Sequence, residues 1–373
     1  MTKKNILIIM HELKSGGAEK LCADILKKFD YERFDVTLLL IQNEGIYLND
    51  IPKNVNIVSL FNPNQKLPSF CNSRYLRNII RKLLLWYKLP KNVNYDTIIS
   101  FMEGASLRYH SLITKRALRN ISWVHIDLKE NHWSKKYFWD EKEENQAYKS
   151  MDSVVFVSEA AKKAFHELYP DVENLDVILN LIDTDEIRNK ANMEEVHRPD
   201  GYLICGVGRL VEQKRFDRFI EVIRELQERG YPIHGWIIGD GYEKEFLRKN
   251  INNSEVNNVS LLGFKKNPLP YVNAADLFLS TADNEGFSLV VAEAMALGKP
   301  IVSTSVTGPS ELLADNAGLL TGFDVSEIAD AIELLLRTPE MARQYAQSAL
   351  KRSQMFNVEA TMKRIYTAID PKL

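Results

Sequence analysis

The chain has 373 residues, 45% hydrophobic and 26% charged, an ordinary globular composition that argues against disorder and is long enough for two domains. A formal net charge of −2 leaves no global basic field to hold nucleic acid. Cys22, Cys71 and Cys205 stand far apart with no CxxC pair, which excludes a zinc ribbon and fits a reducing cytoplasm better than a disulfide framework.

In chain order, Lys3-Lys4 precedes a short apolar run, Ile6–Met10, that gives way at once to His11-Glu12. It reads as a buried first strand rather than a secretion signal. Further strands are expected at 35–41, 56–60, 97–101, 121–125 and 153–158, with helices at 18–29, 73–85, 105–117 and 159–169. The stretch from Asp183 to Pro199 is polar without an apolar period and reads as the domain junction. Strands then resume at 202–207, 234–239, 259–262, 277–280, 300–303 and 318–320. Helices are expected at 216–229, 242–249, 289–297 and 325–335, and from Pro339 and Val358 onward. Such alternation implies an α/β protein with two parallel, doubly wound sheets. The expected arrangement is two Rossmann-like domains, 1–181 and 182–356, facing across a cleft that closes on its ligand. The last helix, 357–373, is expected to pack back on the first domain. Ligands in such sheets bind at the C-terminal ends of the strands. No apolar stretch reaches the ~18 residues of a membrane span, so a soluble protein is expected.

Three stretches carry chemistry. Gly16-Gly17-Ala18-Glu19 follows the first strand and opens the first helix, where a tight turn lets backbone approach an anion; the same pair also serves as a plain turn. Gly206-Val207-Gly208-Arg209 ends the first strand of the second half and lacks the third glycine of a dinucleotide fingerprint. Arg209 and Lys214 then leave one strand end on a single loop, suited to aiming two cations at a pyrophosphate. The third stretch is Asp283-Asn284-Glu285-Gly286-Phe287-Ser288, which runs into an apolar helix carrying Glu293. A carboxylate among residues that should be buried is costly without a partner, and a ribose diol would supply one. A structural salt bridge is the alternative.

Together, GGAE, GRLVEQKRFD and EGFSLVVAEAMALGKPIVSTSVTGPSEL resemble the retaining glycosyltransferases of family 4, which have the GT-B fold. The resemblance runs over nearly the whole chain and is strongest from Gly206 to Leu312. It implies that Arg209 and Lys214 hold the donor diphosphate, with Gly208 beside them, and that Glu293 holds the ribose. Glu285 would contact hydroxyls of the donor sugar, with Gly286, Phe287 and Ser288 nearby. Gly16 and Gly17 would close over the phosphate, and Gly263, Phe264 and Lys265 would face the base. His125, at a strand end in WVHID, matches the family's active-site histidine near the donor sugar. The nucleotide-sugar, uridine- or guanosine-linked, would be a substrate; no cofactor and no metal are implied. Transfer would retain anomeric configuration through front-face attack, the donor phosphate taking the acceptor proton. Asp183-Thr184-Asp185 imitates a metal-binding DxD but falls where the family has its domain-junction loop, so a capping or junction role is expected there. Leu181 replaces the family's glycine in that loop, and Pro309 replaces a glycine in Thr307–Glu311, where it should stiffen the loop.

The rival readings are a nucleotide-sugar 2-epimerase of the same shape and a non-catalytic two-domain sugar-binding protein. The first would need acid/base residues around the sugar, the second a signal peptide and no cation pair. The acceptor is expected to be a glycan, a lipid-linked oligosaccharide or a small molecule, in bacterial surface polysaccharide synthesis. Residues 51–120 hold twelve Lys/Arg against only Asp96 and Glu103. Within them, residues 73–91 interleave Leu76, Ile79, Ile80, Leu83, Leu84, Trp86 and Tyr87 with Arg74, Arg77, Arg81, Lys82, Lys88 and Lys91. Such a helix suits peripheral docking to the anionic inner face of the cell membrane, and equally suits covering its own sheet.

Overall fold

A computed structural model describes residues 2–65, 74–91, 93–253 and 258–371; Cys71 and Ser73 lie outside the described residues. The aliphatic runs of the first half form β1 (Lys4–Met10), β2 (Phe34–Gln42), β3 (Asn56–Phe61), β4 (Tyr95–Ser100), β5 (Ala117–Val124), β6 (Ser153–Phe156) and β7 (Leu175–Val177). All pair in parallel, in the order β3-β2-β1-β4-β5-β6-β7. Ile6 to Met10 of β1 are buried without alternation, as befits a central parallel strand covered on both faces. The second half forms β8 (Tyr202–Val207), β9 (Ile233–Ile238), β10 (Val259–Gly263), β11 (Leu277–Ser280), β12 (Ile301–Thr304) and β13 (Leu319–Thr321). These also pair in parallel, in the order β10-β9-β8-β11-β12-β13. In each sheet the order reverses beside its first strand, and the crevice at that reversal is where such sheets bind ligands.

The chain divides into two units, Met1–Leu181 with Glu359–Leu373, and Ile182–Val358. The helix Val358–Ile369 thus returns to the first unit. Its Tyr366 ring stacks on Phe34 at 5.4 Å and meets Phe29 edge-on, while the Asp30 N–H donates to its hydroxyl at 2.8 Å. Thr97 donates to the Ile369 carbonyl at 2.8 Å, and Lys4 pairs with Asp370.

Three expectations need correction. The helix expected over 105–117 stops at His110, and after a 3-10 turn at Thr114–Arg116 the chain has become β5. Pairing of Ala117 with Tyr95 in the sheet outweighs local helical pattern there. The polar junction contains a helix, Thr184–Ala191, capped by the Asp183 carboxylate, which accepts from the Glu186 N–H at 2.9 Å. Only Ile187 and Ala191 of that helix are buried, too few to show a period. Asp185 is 88% exposed, with Arg188 as its ion-pair partner at 3.9 Å. Residues 307–311 are the start of a short helix, Thr307–Leu312, with Pro309 in its first turn, where the missing N–H costs nothing.

Replacing Tyr366 with alanine should cost about 2 kcal/mol, from lost ring burial and one hydrogen bond. Calorimetry should show the first unit melting about 4–8 °C lower. An unchanged transition would mean that the returning helix contributes nothing to that unit.

Candidate functional site

In the second unit the ends of β8, β9 and β10 meet backbone to backbone. Gly208 donates its N–H to the Ile238 carbonyl at 3.0 Å, and Gly239 donates to the Gly263 carbonyl at 3.0 Å. A Cβ on Gly239 would overlap the Gly208 carbonyl oxygen, so this shelf exists only without a side chain there. Gly263 has φ +71 and open space beside it. Phe264 beyond it is 45% exposed, and the Lys265 ammonium lies 5.1 Å from the Tyr271 ring centre.

The loop after Gly208 is stitched to the loop after β11. Asp283 donates its N–H to the Gln213 carbonyl at 2.9 Å, and the Gln213 amide donates to the Asn284 carbonyl at 2.6 Å. The Thr281 hydroxyl donates to the carbonyls of Lys214 and Arg215 at 3.2 and 2.9 Å. Arg215, in the left-handed region at φ 51, bridges Asp217 and Asp283. Buried Arg218 donates to the Thr281 carbonyl at 2.7 Å and to Asp283 at 2.9 Å. These bonds bring the Lys214 ammonium onto the Glu285 carboxylate, both largely buried. Burial, with a smaller contribution from the Arg209 guanidinium, pushes the Lys214 ammonium down to about 7. The Glu285 carboxylate opposes that shift, and Arg209 itself is exposed. The sequence assigned no role to Gln213, Thr281, Arg218 or Asp283, although Gln213 and Asp283 fall within its motifs. Their role is to hold two loops together, and only the folded chain shows which carbonyls they meet.

Next along, Gly286 and Phe287 are buried, and Gly308 donates its N–H to the Glu285 carbonyl at 2.7 Å. Ser288 holds a left-handed φ of 67 at the mouth of the helix Leu289–Ala296. Its buried hydroxyl makes no hydrogen bond among the described residues, nor does the side-chain oxygen of Asn284. A strained residue with an unmet polar atom at a helix N-terminus is a feature of a ligand site, since a ligand would supply the missing partner. Glu293 is buried in that helix at 5% exposure.

The first unit carries the remaining expected residues. Gly16 is buried at the cap position of the helix Gly17–Lys27, and its missing Cβ leaves room for the Glu19 carboxylate, while Gly17 is exposed. His125 follows β5, and its Nε2 lies 3.0 Å from the Phe101 carbonyl oxygen. That oxygen can only accept, so Nε2 carries the proton. Burial lowers the ring to about 4, leaving a neutral imidazole with Nδ1 as an acceptor. The sequence reading missed Glu103, which accepts from the His125 N–H at 3.1 Å and from the Trp133 indole at 3.0 Å. Burial raises its pKa despite those two donors. An acidic residue after an apolar strand, in FMEG, was the available signal.

Lys214 and Glu285 therefore meet, with Arg209 close enough to act on Lys214; Gly208 meets the strand end that leads to Gly263; Gly286 and Phe287 lie against Gly308. Gly16, Gly17 and His125 belong to the other unit. Thr281→Val should remove the one hydroxyl proton that the two carbonyls share, costing about 1 kcal/mol while keeping volume. Hydrogen exchange should then accelerate across 211–215 but not in β8. Unchanged exchange in that loop would show that the hydroxyl does not hold it.

The family model described as Glycosyltransferase Family 4 matches residues 15–186, and that described as Glycosyl transferases group 1 matches residues 187–352. The amylovoran biosynthesis glycosyltransferase AmsD of Erwinia amylovora is 21% identical over 97% of this chain and 98% of its own length. In Campylobacter jejuni the N-acetylgalactosamine-N,N'-diacetylbacillosaminyl-diphospho-undecaprenol 4-alpha-N-acetylgalactosaminyltransferase is 24% identical over 94% of this chain and 95% of its own. The crystal structure of Anabaena HepE with UDP and glucose matches at a TM-score of 0.77 and 21% identity, covering 98% of this chain and 99% of that one. The fold is thus GT-B, and the two family models meet at the same point in the chain where its two sheets part. The chain belongs to the group 1, family 4 glycosyltransferases.

Proposed function

We propose that this glycosyltransferase moves a hexosyl group from a uridine diphosphate sugar to a glycan or lipid-linked acceptor in bacterial surface polysaccharide synthesis, with retention and without a metal. One observation carries the reading: a largely buried lysine is held against a glutamate, with an arginine on the same loop, at the switch point of a parallel sheet. Arg209 and Lys214 stabilise the charge that develops on the departing diphosphate, the part a divalent cation plays elsewhere. Glu285 turns from Lys214 to the sugar hydroxyls once phosphate takes its place, and Glu293 receives the ribose diol. Gly208, Gly263, Phe264 and Lys265 lie along the nucleoside, and the unmet Ser288 hydroxyl serves the sugar or phosphate. Gly16 and Gly17 present backbone to the phosphate. His125, held neutral, offers Nδ1 to a sugar hydroxyl. No carboxylate is assigned as nucleophile; the acceptor hydroxyl attacks from the leaving-group face and its proton passes to the phosphate. The activities for which the Erwinia and Campylobacter relatives are named, and the UDP held by HepE, support the substrate classes.

Turnover with a panel of UDP-sugars should persist in excess EDTA and fall by roughly 100-fold or more in Arg209→Ala and in Lys214→Ala. Activity lost to EDTA and restored by magnesium, or wild-type turnover in either folded variant, sinks the reading.

Affinity for the donor should also depend on pH. Lys214 has its pKa lowered to about 7, so in the free protein its charge is present below that value and lost above it. The diphosphate of a UDP-sugar does not titrate there, so binding above pH 7 must draw a proton onto Lys214. Calorimetric Kd values for UDP-glucose or UDP-N-acetylglucosamine should rise from pH 7 to pH 9 by at most tenfold per unit. Lys214→Arg should flatten the curve; a wild-type profile that is already flat removes Lys214 from the phosphate.

A further inference from the structure

The helix Arg74–Lys88 is mounted with its polar side inward. Asn78 accepts from Arg108 at 2.5 Å and from Arg81 at 3.2 Å. The Arg81 guanidinium lies 5.7 Å from the Tyr109 ring centre and that of Arg77 5.9 Å from Trp139. Leu85 is the helix's fully buried apolar residue. On the other side Tyr75, Leu76, Leu83, Trp86 and Tyr87 are 43–76% exposed, and Ile79 and Ile80 between them are only half-buried. At 100° per residue these seven side chains share one continuous face. An ordinary surface helix does the reverse, burying its apolar stripe and wetting its polar one. The packing role that the sequence left open for this stripe is therefore not the one it fills: Leu85, Asn78, Arg77 and Arg81, on the opposite side, make contacts with the rest of the unit.

We propose that this face lies in the interface of an anionic lipid bilayer. Three features select that occupant. The helix carries no acidic residue; Lys82 stands exposed at the rim of the apolar face, and Lys88 is exposed at the helix's last position. Lys91 joins them, its ammonium 4.2 Å from the Trp86 ring centre. Cations bordering an apolar stripe match a negatively charged headgroup layer. The exposed aromatics, Trp86, Tyr75 and Tyr87, are the types that settle at headgroup depth, with an apolar body and a polar tip. A second copy of the chain would instead bring like charges together around the stripe, at an electrostatic cost. Arg77 and Arg81 face inward, so the lysines, not these arginines, make the electrostatic contact. No helix among the described residues is long and apolar enough to cross a membrane.

The test is sedimentation of the full chain with vesicles, and it reads lipid binding independently of any transferase activity. The protein should bind phosphatidylglycerol vesicles at low salt, bind phosphatidylcholine far less, and lose binding as salt rises. Leu83→Glu with Trp86→Glu, both at exposed sites, should lower the partition coefficient at least tenfold with an unchanged melting temperature. Lys82→Gln, Lys88→Gln and Lys91→Gln together should lower it about a hundredfold. No binding to anionic vesicles at low salt overturns the proposal. So does binding that both variants retain, or a dimer that Leu83→Glu dissociates in a protein that ignores lipid.

Discussion

An ammonium group taken out of water and held against a carboxylate is the constraint around which the second unit is arranged. Lys214 sits on a 3-10 turn whose neighbours are tied by hydrogen bonds to the loop after β11, so its position is not a matter of side-chain choice. Removing one partner of a buried pair leaves the other uncompensated, which is far costlier than never having had the pair. Glu285 therefore gives the Lys214 ammonium a partner in the donor-free molecule, while burial and Arg209 both favour losing the proton. On the proposed function the same carboxylate is released when a diphosphate arrives. A site that holds its cation ready with an internal anion needs little reorganisation at the moment of reaction.

Around that pair the backbone supplies what side chains cannot. The glycine shelf at Gly208 and Gly239 brings strand ends within hydrogen-bonding distance, and a methyl group at Gly239 would displace the carbonyl it faces. Ser288 supplies strain and an unmet hydroxyl where the next helix begins. The first unit uses the opposite electrostatic device. His125 is kept neutral by burial and fixed in one tautomer by the Phe101 carbonyl, while Glu103 is held by two N–H donors. One unit thus offers localised positive charge and the other a neutral acceptor. Each lies beyond the C-terminal end of a strand of its own parallel sheet.

Read alone, the sequence determined the two rounds of strand–helix alternation, the glycine turns, the cation pair and the two glutamates spaced along one loop and helix. All are local: period, turn residue and motif spacing are written in consecutive positions. What tertiary structure decided is where polar groups find partners. The helix Glu141–Lys149 went unseen because its buried Glu143 and Glu144 are satisfied by Arg108, His132 and Ser134, residues that are distant in sequence or outside any periodic run. The stitching by Thr281, Gln213 and Arg218, and the role of Glu103 beneath His125, depend likewise on contacts across 22 to 71 residues. The clearest case is residues 74–88. Their periodicity established an amphipathic helix, yet periodicity is symmetric about which face turns inward. Only the positions of Arg108, Tyr109 and Trp139, brought alongside by the fold, turned the arginines in and the aromatic stripe out.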